Sequence, residues 1–168
     1  ALDKASQAEQ AMRKGDVAAA LALYKQAAET MPEEPRWQVW VGVLEELQGQ
    51  LDTAARAYAG AEQAAGGRVP FLVLRGMAWL ELNAWDKAAT DAEAALTANP
   101  NCAEAYFILG GAFEAAGERA KAMAAFEKVA ELAANANNST LVVMAKTRLG
   151  MLLQAPVLPA PGAGTGTP

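Results

Sequence analysis

Catalysis and metal binding need nucleophiles, bases and ligands within reach of one another, and this chain of 168 residues offers few. It has no His, the commonest general base and metal ligand near neutral pH. Its single Cys, Cys102, follows the turn Asn99-Pro100-Asn101 and reads as a buried structural thiol rather than a nucleophile. One Cys cannot form a disulfide within the chain, which fits a reducing compartment without requiring one. The acidic pairs Glu33-Glu34 and Glu45-Glu46 read as solvated helix ends or faces, and the acids show no calcium-loop spacing. Gly66-Gly67 and Gly110-Gly111 lack the flanks of a phosphate-binding loop. The expectation is a chain that is not an enzyme and that takes no cofactor and no metal. An enzyme resting on Cys102 is the third-ranked reading.

Charge narrows the partners. A net charge of -5 and a pI near 4.8 argue against nucleic acid, whose phosphates require a basic stripe. The apolar runs are short and interrupted, so no membrane span is expected. The chain starts at Ala1 rather than Met, which leaves room for a leader removed ahead of it. The compartment of this soluble chain is therefore open between the cytoplasm and an extracytoplasmic space such as the periplasm.

What the sequence does carry is periodicity. In Ala103–Ala134, two amphipathic patterns meet at a turn at Gly117. Large residues and a glycine (Tyr106, Leu109, Gly110, Phe113) lie on the first pattern, and Ala122 and Phe126 on the second. A frame of 34 residues starting at Ala1, Pro35, Val69 and Ala103 repeats this unit without insertion. Position 8 is then Ala8, Gly42, Gly76 and Gly110; position 20 is Ala20, Ala54, Ala88 and Ala122; position 24 is Tyr24, Tyr58, Ala92 and Phe126. Turn residues Gly15, Gly49, Asn83 and Gly117 all fall at position 15. Small residues at 8 and 20 are expected to face each other where two helices cross closely. Gly inside a helix costs about 1 kcal/mol against Ala, so close packing should offset it. The bland alternative is an Ala-rich bundle with coincidental glycines.

This pattern resembles the tetratricopeptide repeat (TPR) family. The resemblance covers about residues 1–134 and implies an all-α fold, a right-handed α-solenoid of helix-turn-helix repeats near 1–34, 35–68, 69–102 and 103–136. Helices are expected near 2–14, 17–30, 36–48, 51–65, 70–82, 85–98, 103–116 and 119–134. Ser139 is expected to N-cap a ninth helix to Gln154 that covers the last repeat through Leu141, Ala145, Leu149 and Leu152. That helix also carries Val142, Val143 and Met151, read either as a deeper dock or as a second contact site. Residues 1–154 form the repeat domain in this reading. Residues 155–168, rich in Pro, Gly and Ala, read as a linker or flexible tail with a weak Pro156–Pro159 PxxP spacing.

In such a stack the first helices line a concave face. Helical arithmetic places positions 2, 5, 9 and 12 there, flanked by 6. The expected groove is Arg36, Val39, Trp40, Val43 and Glu46; Pro70, Val73, Leu74, Met77 and Leu80; and Glu104, Phe107, Ile108, Gly111 and Glu114. The first repeat contributes Leu2, Ala5, Ser6, Glu9 and Met12. These positions lack the Lys, Arg and Asn with which some family members clamp a C-terminal carboxylate, so that ligand is not implied. An apolar centre with acidic edges suits an apolar or amphipathic protein segment with basic flanks. The resulting expectation is a scaffold, an assembly factor or a chaperone-like holder of such a segment. The alternative is a structural subunit packed permanently in a larger complex through groove, ninth helix and tail; a homo-oligomer is compatible with the same faces.

Overall fold

The computed structural model describes residues 2–154, and the expected tail and its PxxP spacing lie outside the described residues. Among the described residues nine helices follow one another: α1 (Leu2–Arg13), α2 (Val17–Thr30), α3 (Pro35–Leu47), α4 (Leu51–Ala64), α5 (Arg68–Glu81), α6 (Trp85–Ala98), α7 (Ala103–Ala115), α8 (Arg119–Asn135) and α9 (Ser139–Gln154). Those residues include no strand, and no helix among them is long and apolar enough to cross a membrane. Each odd helix up to α7 pairs with the next even one, and α3, α5 and α7 also touch in succession. Such stacking of hairpins, first helix beside first helix, makes the chain an all-α solenoid.

The turns explain why each hairpin closes alike. Gly15, Gly49, Asn83 and Gly117 all hold φ between 57° and 76°, the left-handed region that Gly and Asn tolerate. One residue on, the backbone N–H of Asp16, Gln50, Ala84 and Glu118 donates to the carbonyl of Ala11, Glu45, Trp79 and Phe113 at 2.8–2.9 Å. The turn into α9 repeats this geometry at Asn137, with Asn138 N–H donating to the Ala133 carbonyl at 2.8 Å.

Start signals are sparser. Asp16 caps α2 by accepting from the Ala19 N–H at 3.0 Å. The expected cap of α9 is corrected by one residue: Asn138, not Ser139, accepts from the Leu141 N–H, at 3.1 Å. α5 also begins two residues before Pro70 because the turn ends at Gly67, whose φ of 138° no L side chain adopts readily.

The core runs along the stack. Tyr24 and Leu44 lie in a cluster joining α1, α2 and α3; Phe71, Trp79 and Ile108 lie in one running from α3 to α7. Leu141 and Ala145 of α9 close onto Val129 and Ala133 of α8, and Leu152 onto Phe126. Burial of each large side chain contributes about 1.5–3 kcal/mol. Position 8 is pressed by position 24 rather than position 20: a Cβ built on Gly110 would lie 2.7–2.9 Å from the Phe126 ring, and one on Gly42 2.5 Å from Tyr58. In the third hairpin position 24 is Ala92, and Gly76 instead meets Ile108 of α7 at 3.0 Å. In the second and fourth hairpins the ring at position 24 fills the space a Cβ would take, which is the physical reason for Gly42 and Gly110; in the first, Ala8 and Tyr24 pack together without a glycine.

Candidate functional site

The expected groove residues divide into three groups. Val39, Val43 and Ile108 are in the core, at 1%, 0% and 0% exposure, and cannot present a surface to a partner. The 100° arithmetic placed them on the inner face, but α3 and α7 each pack against α5 as well as against the helices before and after them in the chain, so the buried arc is wider than one stripe. Glu46 accepts the Tyr58 hydroxyl at 2.7 Å and the Lys87 ammonium at 2.6 Å, tying three helices together instead of edging a groove. Burial disfavours its charged form, yet those two bonds prevail and hold its carboxyl below the usual range. Arg36, though exposed, is held in a two-point pair with Glu34 at 3.0 and 3.1 Å.

The remaining residues surround three clefts. Val73, Leu74, Pro70 and Glu104 line one of about 490 Å³ near the start of α5 and α7, with Cys102 at its floor. Leu80, Phe107, Gly111 and Glu114 line another of about 530 Å³ at the far end of the same helices, walled also by Trp85 and by Arg148 of α9. Trp40 lines the third, about 300 Å³, with Glu9, Met12 and Glu81. Met77 is half-buried on the core between them. Among first-repeat residues, Ala5 is buried and Ser6 exposed, and the Leu2 side chain lies outside what is described.

Charge on these rims is partly compensated. Arg148 Nη1 lies 3.6 Å from Glu114 Oε2, an oxygen with no closer hydrogen-bond donor among the described residues. Burial pushes the Glu81 carboxyl up, and the nearby Glu9 adds to it. Burial likewise raises the Cys102 thiol, whose Sγ lies 3.7 Å from Glu104 Oε2, so it is poorly set to be a thiolate nucleophile.

Sequence reasoning missed Glu81, Trp85 and Arg148. Glu81 and Trp85 flank the turn between α5 and α6, at frame positions 13 and 17, outside the inner-face set. Arg148 comes from the helix read only as a cover. Of the extra apolar residues on that helix, Val142 packs against the core between α8 and α9, whereas Val143 (62%) and Met151 (56%) are exposed, as is Leu153 (64%).

A family model described as tetratricopeptide repeat matches residues 6–68 and 73–137. A comparison with curated proteins found no match. Solved structures similar to this chain include the TPR domain of Arabidopsis OM64, at 23% identity over 77% of this chain and 96% of that one, with a TM-score of 0.48. A thermophilic TPR protein from Thermus thermophilus is 18% identical over 93% and 92%, with a TM-score of 0.45. MamA from Desulfovibrio magneticus RS-1 is 18% identical over 90% and 96%, with a TM-score of 0.41.

Proposed function

The chain belongs to the tetratricopeptide repeat family, and on that premise we propose that it is a non-catalytic interaction module holding an apolar or amphipathic segment of a partner protein along its first helices. One observation carries this reading. Val73, Leu74, Leu80 and Phe107 remain partly exposed on consecutive first helices and line two clefts, with Glu81, Glu104 and Glu114 at their rims. Apolar walls reward burial of a ligand's apolar side chains, and acidic rims favour Lys or Arg beside them. The repeat domain is taken as residues 1–154, with α9 covering the fourth hairpin. Assembly and chaperone-like roles are versions of the same holding activity.

Selection of a displayed random-peptide library on the full chain tests the proposal. Recovered peptides should combine apolar residues at helical or alternating spacing with flanking Lys or Arg. Leu74→Glu/Leu80→Glu should weaken their capture by about tenfold or more, because a carboxylate facing an apolar ligand has no counter-ion. These two side chains are partly exposed, so the melt should change little. Undiminished capture by the folded double variant overturns the proposal.

A second reading, a subunit packed permanently in a larger complex, draws on the exposed Val143, Met144, Met151 and Leu153 of α9. Obligate co-purification with other chains from the native source would favour it.

A further inference from the structure

Curvature of the stack brings Glu9 of α1 and Glu81 of α5, from the first and third hairpins, to the same cleft of about 300 Å³. Neither carboxylate has an ion-pair or hydrogen-bond partner among the described residues. Like charges brought together without a cation repel, and the raised Glu81 carboxyl registers both its burial and that repulsion. Arg36 is occupied by Glu34, and Arg13, exposed on the same rim, bridges neither acid.

A second feature points into the same space. Tyr24 is 1% exposed, and its hydroxyl has no hydrogen-bond partner among the described residues. Its ring is fixed by stacking on Trp40 at 5.4 Å and Trp37 at 6.3 Å, so it cannot turn to seek a partner elsewhere. It lines the cleft, close enough to Glu9 and Glu81 that, after burial, both raise its pKa. Tyr24 therefore offers the cleft a hydroxyl that no group among the described residues satisfies, on an otherwise buried and immobile ring. Trp40 and Met12 form the apolar wall beside it.

We propose that this cleft receives the cationic head of a Lys or Arg side chain from the bound segment. Its N–H groups donate to the Glu9 and Glu81 carboxylates and to the Tyr24 oxygen, while its aliphatic stem lies along Trp40 and Met12. The site deepens the proposed holding function and rests on it, because it fixes where a basic flank of the partner sits. The volume lies at the lower end of small-ligand pockets and suits one side chain, not a helix.

Titration of the full ¹⁵N-labelled chain with N-acetyl-arginine amide, N-acetyl-lysine amide and the neutral N-acetyl-norleucine amide tests the site. The two cations should give saturable shifts at Glu9, Met12, Trp40 and Glu81, with norleucine about tenfold weaker or worse. Glu9→Gln/Glu81→Gln should lower cation affinity by about tenfold, Tyr24→Phe by less, and Arg13→Gln should raise it. Equal shifts with norleucine, shifts scattered elsewhere, or undiminished cation binding in the folded Glu9→Gln/Glu81→Gln variant each overturn the site. Because these probes do not depend on Leu74 or Leu80, failure here leaves the peptide-capture result standing. Peptide capture that no longer depends on Leu74 and Leu80, with cation binding intact, would instead sink the groove.

Discussion

Arg75 of α5 grips Asp91 of α6 with two hydrogen bonds, Nε to Oδ2 at 2.8 Å and Nη2 to Oδ1 at 2.6 Å. This pair stands in the one hairpin whose position 24 is an alanine rather than an aromatic ring. Burial opposes the charge on Arg75, but the Asp91 bonds outweigh it, and the guanidinium's pKa stays above its usual value. The Arg75 head also lies over the rings of Tyr58 and Phe71, at 4.8 and 5.0 Å. An ion pair and two cation–π contacts thus hold the third hairpin where the ring at position 24 holds its neighbours.

Asp91→Ala should therefore cost about 3–5 kcal/mol, because it leaves Arg75 without its carboxylate in a half-buried site. Asp91→Ala/Arg75→Met should recover part of that loss, since an apolar pair of similar size removes the orphaned charge. Denaturant melts of the two variants and Arg75→Met complete the cycle. Additive losses would show that the two residues act independently.

Gly110→Ala should destabilise by about 1–3 kcal/mol through overpacking against Phe126. Gly110→Leu should do at least as much harm, and Gly110→Ala/Phe126→Leu should relieve it. Gly111→Ala is the control: a Cβ there meets the Leu80 methyls at 3.4 Å, which a flexible side chain accommodates. Thermal melts in which Gly110→Ala matches Gly111→Ala would contradict the close approach at position 8.

Glu46 predicts a pH dependence. Its folded pKa is depressed by the Lys87 and Tyr58 bonds against the effect of burial. An unfolded carboxylate near about 4.3 binds protons first as pH falls. The contribution of Glu46 is thus full above that value and is lost as pH falls through the folded pKa. Glu46→Gln should lower the melting temperature at pH 7, and its difference from the parent should shrink at more acid pH. A constant difference would mean that Glu46 acts through packing rather than charge.

Glu81 has the opposite sign. Its folded pKa is raised, by burial first and then by Glu9, so the folded chain holds the proton more tightly. Stability then falls as pH rises from the unfolded carboxylate value through the folded one, leaving a penalty at neutral pH. Glu81→Gln should melt higher than the parent at pH 7 and should converge with it in acid. A variant that is more stable but binds cations less well is the expected trade at a binding site. A lower melting temperature for Glu81→Gln at pH 7 would contradict the repulsion.

By itself, the sequence determined the all-α repeat, because local chemistry repeats in it. Position 15 always carries Gly or Asn, which permits the left-handed turn, and helical spacing of apolar residues places each helix to within two residues. Tertiary structure alone decided which inner-face side chains remain accessible. Val39, Val43 and Ile108 look like Val73, Leu74 and Phe107 by spacing, but the adjoining helices cover the first three and leave the second three partly open. Likewise frame position put Glu46 on the inner face and left Glu81 out of it, yet Glu46 is consumed by Tyr58 and Lys87 while Glu81 is left facing Glu9. Such partners lie on other helices, and the angle at which successive hairpins stack brings them together; no periodicity along the chain encodes that meeting.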